Sequence, residues 1–289
     1  MKAAEKFLDR LKVLPVFIMP QHGLSRLVGR LTHWRWRTWK DLLIRLFIRH
    51  YQVDMSDALE QDYHRFENFN AFFTRELRPG TRPLSADARV IACPVDGSIS
   101  RIGAIDDALI IQAKGHDYSV ADLLGGDKTL SGTFRNGRFA TLYLSPRDYH
   151  RIHMPVDGSL LSMQLVPGRL FPVNPPSTRT IPRLFARNER VINIFSTEIG
   201  TMALVMIGAL CVGSMDTVWA GTVAPCGSRA QLRQQYTPGA VTLEGGQEVG
   251  RFNMGSSVIL LFEADRMEWL AHLKAGDAVR MGQELGKRI

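Results

Sequence analysis

Apolar residues follow two different rhythms along the chain. In the first fifty positions they recur at helical spacing. Leu24, Leu27, Val28 and Leu31 are set among Arg26 and Arg30, while patches at Leu8, Leu11, Val13 to Ile18 and Met19 are broken by Arg10, Lys12 and Pro15. Steps of three and four residues put such side chains on one face of a helix and the arginines on the other. Trp34, Trp36 and Trp39 alternate with Arg35, Arg37 and Lys40, and the segment from Leu42 to Arg49 closes this stretch. Beyond about residue 90 the apolar runs become short and are punctuated by Gly, Pro and Asp, the pattern of strands joined by turns. They predict strands at about 90–104, 108–113, 139–144, 159–166, 190–196, 201–213, 217–223, 247–252 and 257–262. Short helices are predicted near 117–124 and 266–273, and residues 51–90 read as helical, then turn-rich. The fold class expected is α+β, with basic amphipathic helices over 1–50 followed by a mainly antiparallel β core over 51–289.

The run Gly250 to Phe262 organises the β region. Val258 to Phe262 is an unbroken series of β-branched and large apolar residues, which predicts a buried strand, and Gly255-Ser256-Ser257 stands directly before it. A serine at the mouth of such a strand is held firmly. Gly255 tolerates backbone angles that other residues avoid, so the peptide bond after it can be bent and exposed. There is also weak internal similarity: Cys93-Pro94-Val95-Asp96-Gly97-Ser98-Ile99 is similar to Met154-Pro155-Val156-Asp157-Gly158-Ser159-Leu160. The tail from Leu273 to Leu285 resembles half of a biotinyl/lipoyl-type sandwich, so barrel-sandwich elements are expected in the core. Turn chemistry alone explains the Pro-x-Asp-Gly pattern, so the repeat informs fold more than function.

Charge is unevenly placed. Residues 1–50 hold four Lys and seven Arg against Glu5, Asp9 and Asp41, which accounts for the whole net charge of +8. No window reaches the roughly 18 to 20 uncharged residues of a spanning helix, and no signal-peptide pattern is present. Basic amphipathic helices bearing tryptophan lie in the membrane interface, where each Lys or Arg near an anionic surface contributes on the order of 1 kcal/mol. An anionic membrane surface is therefore the partner expected for the arm. A helical subdomain packed on the body is the compatible structural alternative. Nothing in the body resembles a nucleic-acid fold, so no nucleic-acid partner is expected. Cys93, Cys211 and Cys226 form no Cys-x-x-Cys pair, which argues against a disulfide framework or a zinc site and suits a reducing compartment.

A serine hydroxyl becomes a nucleophile when a base takes its proton and a third group orients that base. The richest source of bases is Tyr149-His150-Arg151-Ile152-His153-Met154-Pro155. His-x-x-His is too weak a spacing to name a metal site, and on an extended segment positions three apart face opposite ways. For an orienting acid, Asp96 and Asp157 occupy equivalent turns, and both stay open on sequence alone. The hydrolase elbow Gly-x-Ser-x-Gly is absent at Ser256.

Taken together, these segments make the chain resemble the pyruvoyl-dependent phosphatidylserine decarboxylases, which are made as proenzymes. The resemblance is carried by Phe72-Phe73-Thr74-Arg75-Glu76-Leu77, Pro94-Val95-Asp96-Gly97, Tyr149 to Pro155, Pro167 to Asn174, Phe185 to Val191, Val212 to Thr222 and the Gly-Ser-Ser segment. One departure is visible: the family's Leu-Gly-Ser-Thr processing motif reads Met254-Gly255-Ser256-Ser257, which keeps an apolar residue and a hydroxyl. The resemblance implies self-cleavage between Gly255 and Ser256, giving a β chain, 1–255, and an α chain, 256–289. In that scheme Asp96 orients His153, and His153 deprotonates Ser256, which attacks the Gly255 carbonyl. Ester elimination then leaves a pyruvoyl group at the new N-terminus. That carbonyl would condense with the amine of phosphatidylserine as a Schiff base, CO2 would leave, and His150 or His153 would return the proton, with contact to the substrate carboxylate the other role open to His150. The resemblance further implies phosphatidylethanolamine as product, a homodimer, and a peripheral place on the cytoplasmic side of the cell membrane. Two other functions are distinguishable. A Ser-His-Asp lipid esterase would keep an intact chain with a reactive Ser256, and a membrane-binding module would have no use for it. A biotinyl-type carrier would need a modifiable lysine, and Lys274 lacks the Met-Lys-Met context.

Overall fold

The strand predicted from Val258 to Phe262 forms as Ser257–Phe262 and is buried along its whole length. The computed structural model describes residues 3–113, 116–211, 214–225 and 231–289, so Cys226 and the Val212-Gly213 pair of the sequence argument lie outside the described residues. Ser257–Phe262 sits deep within a nine-stranded sheet. Its order is Leu232–Gln235, Gly158–Val166, Arg190–Thr197, Gly200–Ile207, Ser257–Phe262, Arg138–Tyr143, Gly97–Ala104 and Ala278–Val279, with Thr242–Leu243 also pairing on Gly158–Val166. The pairings are antiparallel. A second sheet joins Gly221–Pro225, Ser214–Thr217, Glu248–Phe252 and Arg151–His153; a third joins Val90–Ala92, Glu284–Arg288 and Met267–Trp269. Among the described residues the sheets are sandwich-like and do not close into a barrel, and the fold is α+β as expected.

The weak internal repeat is a real pseudo-two-fold. Ala92 N–H donates to the Pro155 carbonyl at 3.0 Å, and His153 N–H donates to the Pro94 carbonyl at 2.9 Å. Each Pro-x-Asp-Gly turn is then clasped by a distant hairpin: Gly282 N–H reaches Cys93 O at 2.9 Å, and Gly246 N–H reaches Met154 O at 2.8 Å. The partner of the Met281-Gly282-Gln283-Glu284 tail is therefore Gly245-Gly246-Gln247-Glu248, a match that the first halves alone did not show.

Two predicted elements change. Residues 266–273 do not form a helix: Met267–Trp269 is a strand paired with Glu284–Arg288. Met267 is buried and Glu268 exposed, a period of two over too few residues to stand out. The Trp269 ring packs edge-on against Phe262, with centroids 5.8 Å apart. The strand predicted at 217–223 is instead a turn between Ser214–Thr217 and Gly221–Pro225, where Gly221 adopts a φ of +64°.

The N-terminal arm folds as α1 (Ala3–Ile18), α2 (Gln21–Thr32) and α3 (Arg37–Tyr51). Helix α2 buries Gln21, Ser25 and Thr32, whereas Leu27 is exposed. Its inward polar groups are satisfied: Gln21 Oε1 accepts from Leu170 N at 2.9 Å, and Ser25 Oγ accepts from Cys211 N at 3.1 Å. Helix α3 packs on α4 (Phe69–Phe73) through Ile44, Phe69, Phe72 and Phe73. Asn68 caps α4, its side chain accepting from Ala71 N at 2.9 Å. No helix among the described residues is long and apolar enough to cross a membrane.

Candidate active site

Ser257 begins the central strand, opposite Tyr143 on one side and Ile207 on the other, so its backbone belongs to the ladder. Ser256 lies one residue before it, with its carbonyl accepting from Leu144 N at 2.9 Å. Both serines are buried, and both hydroxyls lack a hydrogen-bond partner. A buried unpaired hydroxyl costs roughly 1–3 kcal/mol, which makes a pair of them at one strand end a functional signal.

The backbone strain falls on Met254 rather than on Gly255. Met254 has a φ of +100°, a region that side-chain-bearing residues avoid. Asn253 anchors the turn: its N–H donates to Ser214 O at 3.0 Å, its Nδ2 to Ser214 Oγ at 2.5 Å, and its Oδ1 accepts from Asn70 Nδ2 at 2.9 Å. Gly255 is needed for space, because a Cβ there would stand 3.1 Å from His150 Nε2.

His150 is therefore the histidine that the fold brings against the Gly255–Ser256 bond. Its ring is fully buried under Phe73, with centroids 4.0 Å apart. Nδ1 lies 2.8 Å from the Asp148 carbonyl, which can only accept, so Nδ1 carries the proton. Nε2 is left as a lone pair without a partner. Burial pushes its pKa down to about 3, and the nearby Arg75 charge acts the same way, so the imidazole is neutral at ordinary pH.

His153 occupies a different setting. Its Nδ1 donates to Gly246 O at 2.8 Å, and its Nε2 accepts from the Tyr149 hydroxyl at 3.0 Å. Burial lowers its pKa as well. Asp96 does not hydrogen-bond either histidine. Its carboxylate takes Arg82 in a fork, Nε to Oδ1 at 3.0 Å and Nη2 to Oδ2 at 2.6 Å, and accepts from Met281 N at 2.8 Å. Asp157, in the equivalent turn, accepts from Gly245 N at 2.6 Å. Thus Ser256, Gly255 and His150 come together, His153 stands behind Tyr149, and the direct Asp96–His153–Ser256 relay implied by the resemblance is not formed in this conformation. The reason is physical: Arg82, buried between Asp57 and Asp96, is the stronger partner for that carboxylate.

Phe73, Tyr149, Asn70 and Asn253 were not singled out by chemistry in the sequence. Their roles depend on contacts between distant segments, and only their presence in or beside the motif stretches could have drawn notice. No group of His, Cys, Asp and Glu able to hold a metal occurs among the described residues.

Comparison with known proteins gives the same direction. A family profile described as phosphatidylserine decarboxylase matches residues 69–287, and one described as PSD matches 11–52. A phosphatidylserine decarboxylase proenzyme of Pseudomonas putida strain F1 is 48% identical over 285 residues, covering 97% of this chain and 99% of its own. The proenzyme of the same description from Hahella chejuensis is 48% identical, covering 96% of this chain and 94% of its own. That of Pseudomonas aeruginosa PAO1 is 49% identical, with 96% of both covered. Similarity at this level along nearly the whole length, together with the serine-bearing strand end, places the chain in the phosphatidylserine decarboxylase family.

Proposed function

We propose that the chain cleaves itself between Gly255 and Ser256 and then decarboxylates phosphatidylserine to phosphatidylethanolamine with a pyruvoyl group made from Ser256. One observation carries the reading: a buried, unpartnered serine hydroxyl follows a strained Met254 and a crowded Gly255, beside a neutral histidine with a bare lone pair. In the cleavage, Ser256 Oγ adds to the Gly255 carbonyl and displaces the Ser256 nitrogen, giving an ester. Loss of the Ser256 α-proton breaks the ester C–O bond, leaving a Gly255 carboxylate and a dehydroalanine. Water hydrolyses the latter to the ketone and releases ammonia. The residues fit the group, since Ser256 is fully buried with an unpartnered hydroxyl and Gly255, just before it, packs on His150 Nε2. Once formed, the pyruvoyl carbonyl supplies the electron sink for loss of CO2.

Both histidines are held with Nε2 as the basic nitrogen and are kept neutral by burial, as a base at ordinary pH requires. We assign the cleavage base to His153, with Asp96 in support, and the handling of the substrate proton to His150, which adjoins the reacting end of the strand. For His153 to act, Tyr149 must give up its hydrogen bond to Nε2, and for Asp96 to support it, Arg82 must share its carboxylate. Ser256→Ala should abolish cleavage and decarboxylation together. His153→Gln should leave an intact chain, and His150→Gln a cleaved chain whose turnover falls by roughly 100-fold or more. A cleaved His153→Gln chain would refute the assignment. An intact chain with a fluorophosphonate-reactive Ser256 would refute the decarboxylase reading and favour an esterase.

The arm supports the remaining parts of the proposal, a peripheral enzyme on the cytoplasmic face of the cell membrane. Leu27, Trp34, Trp36, Leu42 and Leu46 are exposed alongside Arg26, Arg30, Arg45 and Arg49. Helix α2 buries Gln21, Ser25 and Thr32 and presents Leu27 outward between Arg26 and Arg30, a mixed face of the kind that lies in a headgroup interface. Two processed copies per enzyme complete the proposal, to be checked by sedimentation equilibrium.

A further inference from the structure

Arg75 follows α4 and is only 5% exposed, yet no carboxylate forms an ion pair with it among the described residues. Asp54, Asp96 and Asp148 are near enough to favour its charge, but each is engaged elsewhere: Asp54 with Ser56 N, Asp96 with Arg82, Asp148 with Ser145 N. Its Nη2 makes a long 3.4 Å bond to the Arg147 carbonyl, its Nε has no partner, and its guanidinium lies 5.5 Å from the centre of the Phe72 ring. A buried guanidinium left this incompletely paired is costly. It lines a cavity of about 450 Å³ with Gly97, Arg147, Asp148, Tyr149 and Arg280.

Two residues of its lining, Asp148 and Gly97, are linked through one neighbour each to the reacting bond. Asp148 holds His150 through its carbonyl. Gly97 abuts the Tyr143 carbonyl, and the next residue, Leu144, binds Ser256 O. On the other side Phe73 covers His150 and Asn70 binds Asn253, so the segment carrying Arg75 is fixed to the Gly255–Ser256 turn.

We propose that Arg75 is a specificity-determining residue that binds the phosphodiester of the phospholipid headgroup while the serine amine reaches the site formed at Ser256. This rests on the decarboxylase reading. Two anionic groups of the substrate could meet a guanidinium, the phosphodiester and the α-carboxylate. The carboxylate must lose its charge into the electron sink, so an arginine paired with it would stabilise the ground state and slow the reaction. The phosphodiester is unchanged from substrate to product and only one serine side-chain carbon away from the reacting centre. An arginine fork suits it.

Binding that is equal in ground and transition states changes KM and leaves kcat. The test uses the processed enzyme, phosphatidylserine in mixed micelles, and an O-alkyl ether of L-serine that lacks the phosphate. With Arg75→Gln, KM for phosphatidylserine should rise roughly 10- to 100-fold, the range for a lost charged hydrogen bond. Its kcat, and kcat/KM for the ether, should stay within about threefold. An equal loss on both substrates, or a loss confined to kcat, would overturn the assignment. Arg75→Lys, which keeps charge without the fork, should show a smaller rise in KM confined to the phospholipid. One arm needs no variant: on the wild-type enzyme glycerophosphoethanolamine should compete with phosphatidylserine and ethanolamine should not, and equal inhibition would refute phosphodiester recognition. Wild-type chain that neither cleaves nor decarboxylates would defeat the parent reading. Active wild type with unaltered Arg75 variants would defeat only this one.

Discussion

At Gly255 the missing side chain matters more than backbone freedom. A methyl group there would press on His150 Nε2 at 3.1 Å and approach Leu144 O at 3.6 Å. Gly255→Ala should therefore fold but cleave roughly 5- to 150-fold more slowly, the scale of 1–3 kcal/mol of overpacking; a time course on denaturing gels would show it, and wild-type cleavage would contradict it. His150 also links the site to pH. Its folded pKa, about 3, lies below the unfolded value of 6.5, so the fold favours the neutral ring. The stability it gives is complete above about pH 6.5 and is lost as pH falls toward 3. Glu189, pushed up to about 7 by burial, acts in the opposite sense between about 4.5 and 7. The difference between wild type and His150→Gln isolates the histidine: denaturation midpoints should converge as pH drops through this window, and parallel profiles would refute the effect. The sequence indicated Ser256 and both histidines, but not which ring meets Gly255. That depends on Phe73, Asp148 and the turn at Asn253, which lie far apart in the chain. Nor could it show that Arg82 takes the carboxylate of Asp96.

Elements explain why cleavage need not release the small chain. Ser257–Phe262 pairs along its length with Arg138–Tyr143 and Gly200–Ile207, and Glu284–Arg288 pairs with Val90–Ala92. The bond at issue lies just outside this ladder. After cleavage the two chains should co-elute in native size-exclusion and separate only in denaturant; an α chain shed under native conditions would refute this pairing as the link. This strand was legible because five consecutive apolar residues leave few alternatives. Met267–Trp269 was not, because three residues of alternation are a weak signal, and its pairing partner lies near the end of the chain.

Over the whole molecule, charge and apolar exposure concentrate in the arm, which carries the entire net charge of +8. The arm is also tied to the body, with Asp9 pairing Arg179 at 2.8 Å and Phe17 packing on Phe171 at 5.2 Å between centroids. Composition showed the first property; the second needed the fold. Binding to vesicles containing phosphatidylglycerol should weaken as salt rises through the Debye range. Trp34→Ala with Trp36→Ala should weaken it further without slowing self-cleavage. Unchanged binding in both tests would remove the arm from the membrane account.

The central claim is that Ser256 becomes the blocked first residue of a new chain. Intact mass measurement of the purified, denatured protein addresses it directly. Two species should appear, residues 1–255 and the 34 residues from 256 to 289, the smaller carrying a pyruvoyl in place of serine and resisting Edman sequencing. A single species of 32.5 kDa that stays whole on incubation with phosphatidylserine would contradict the account.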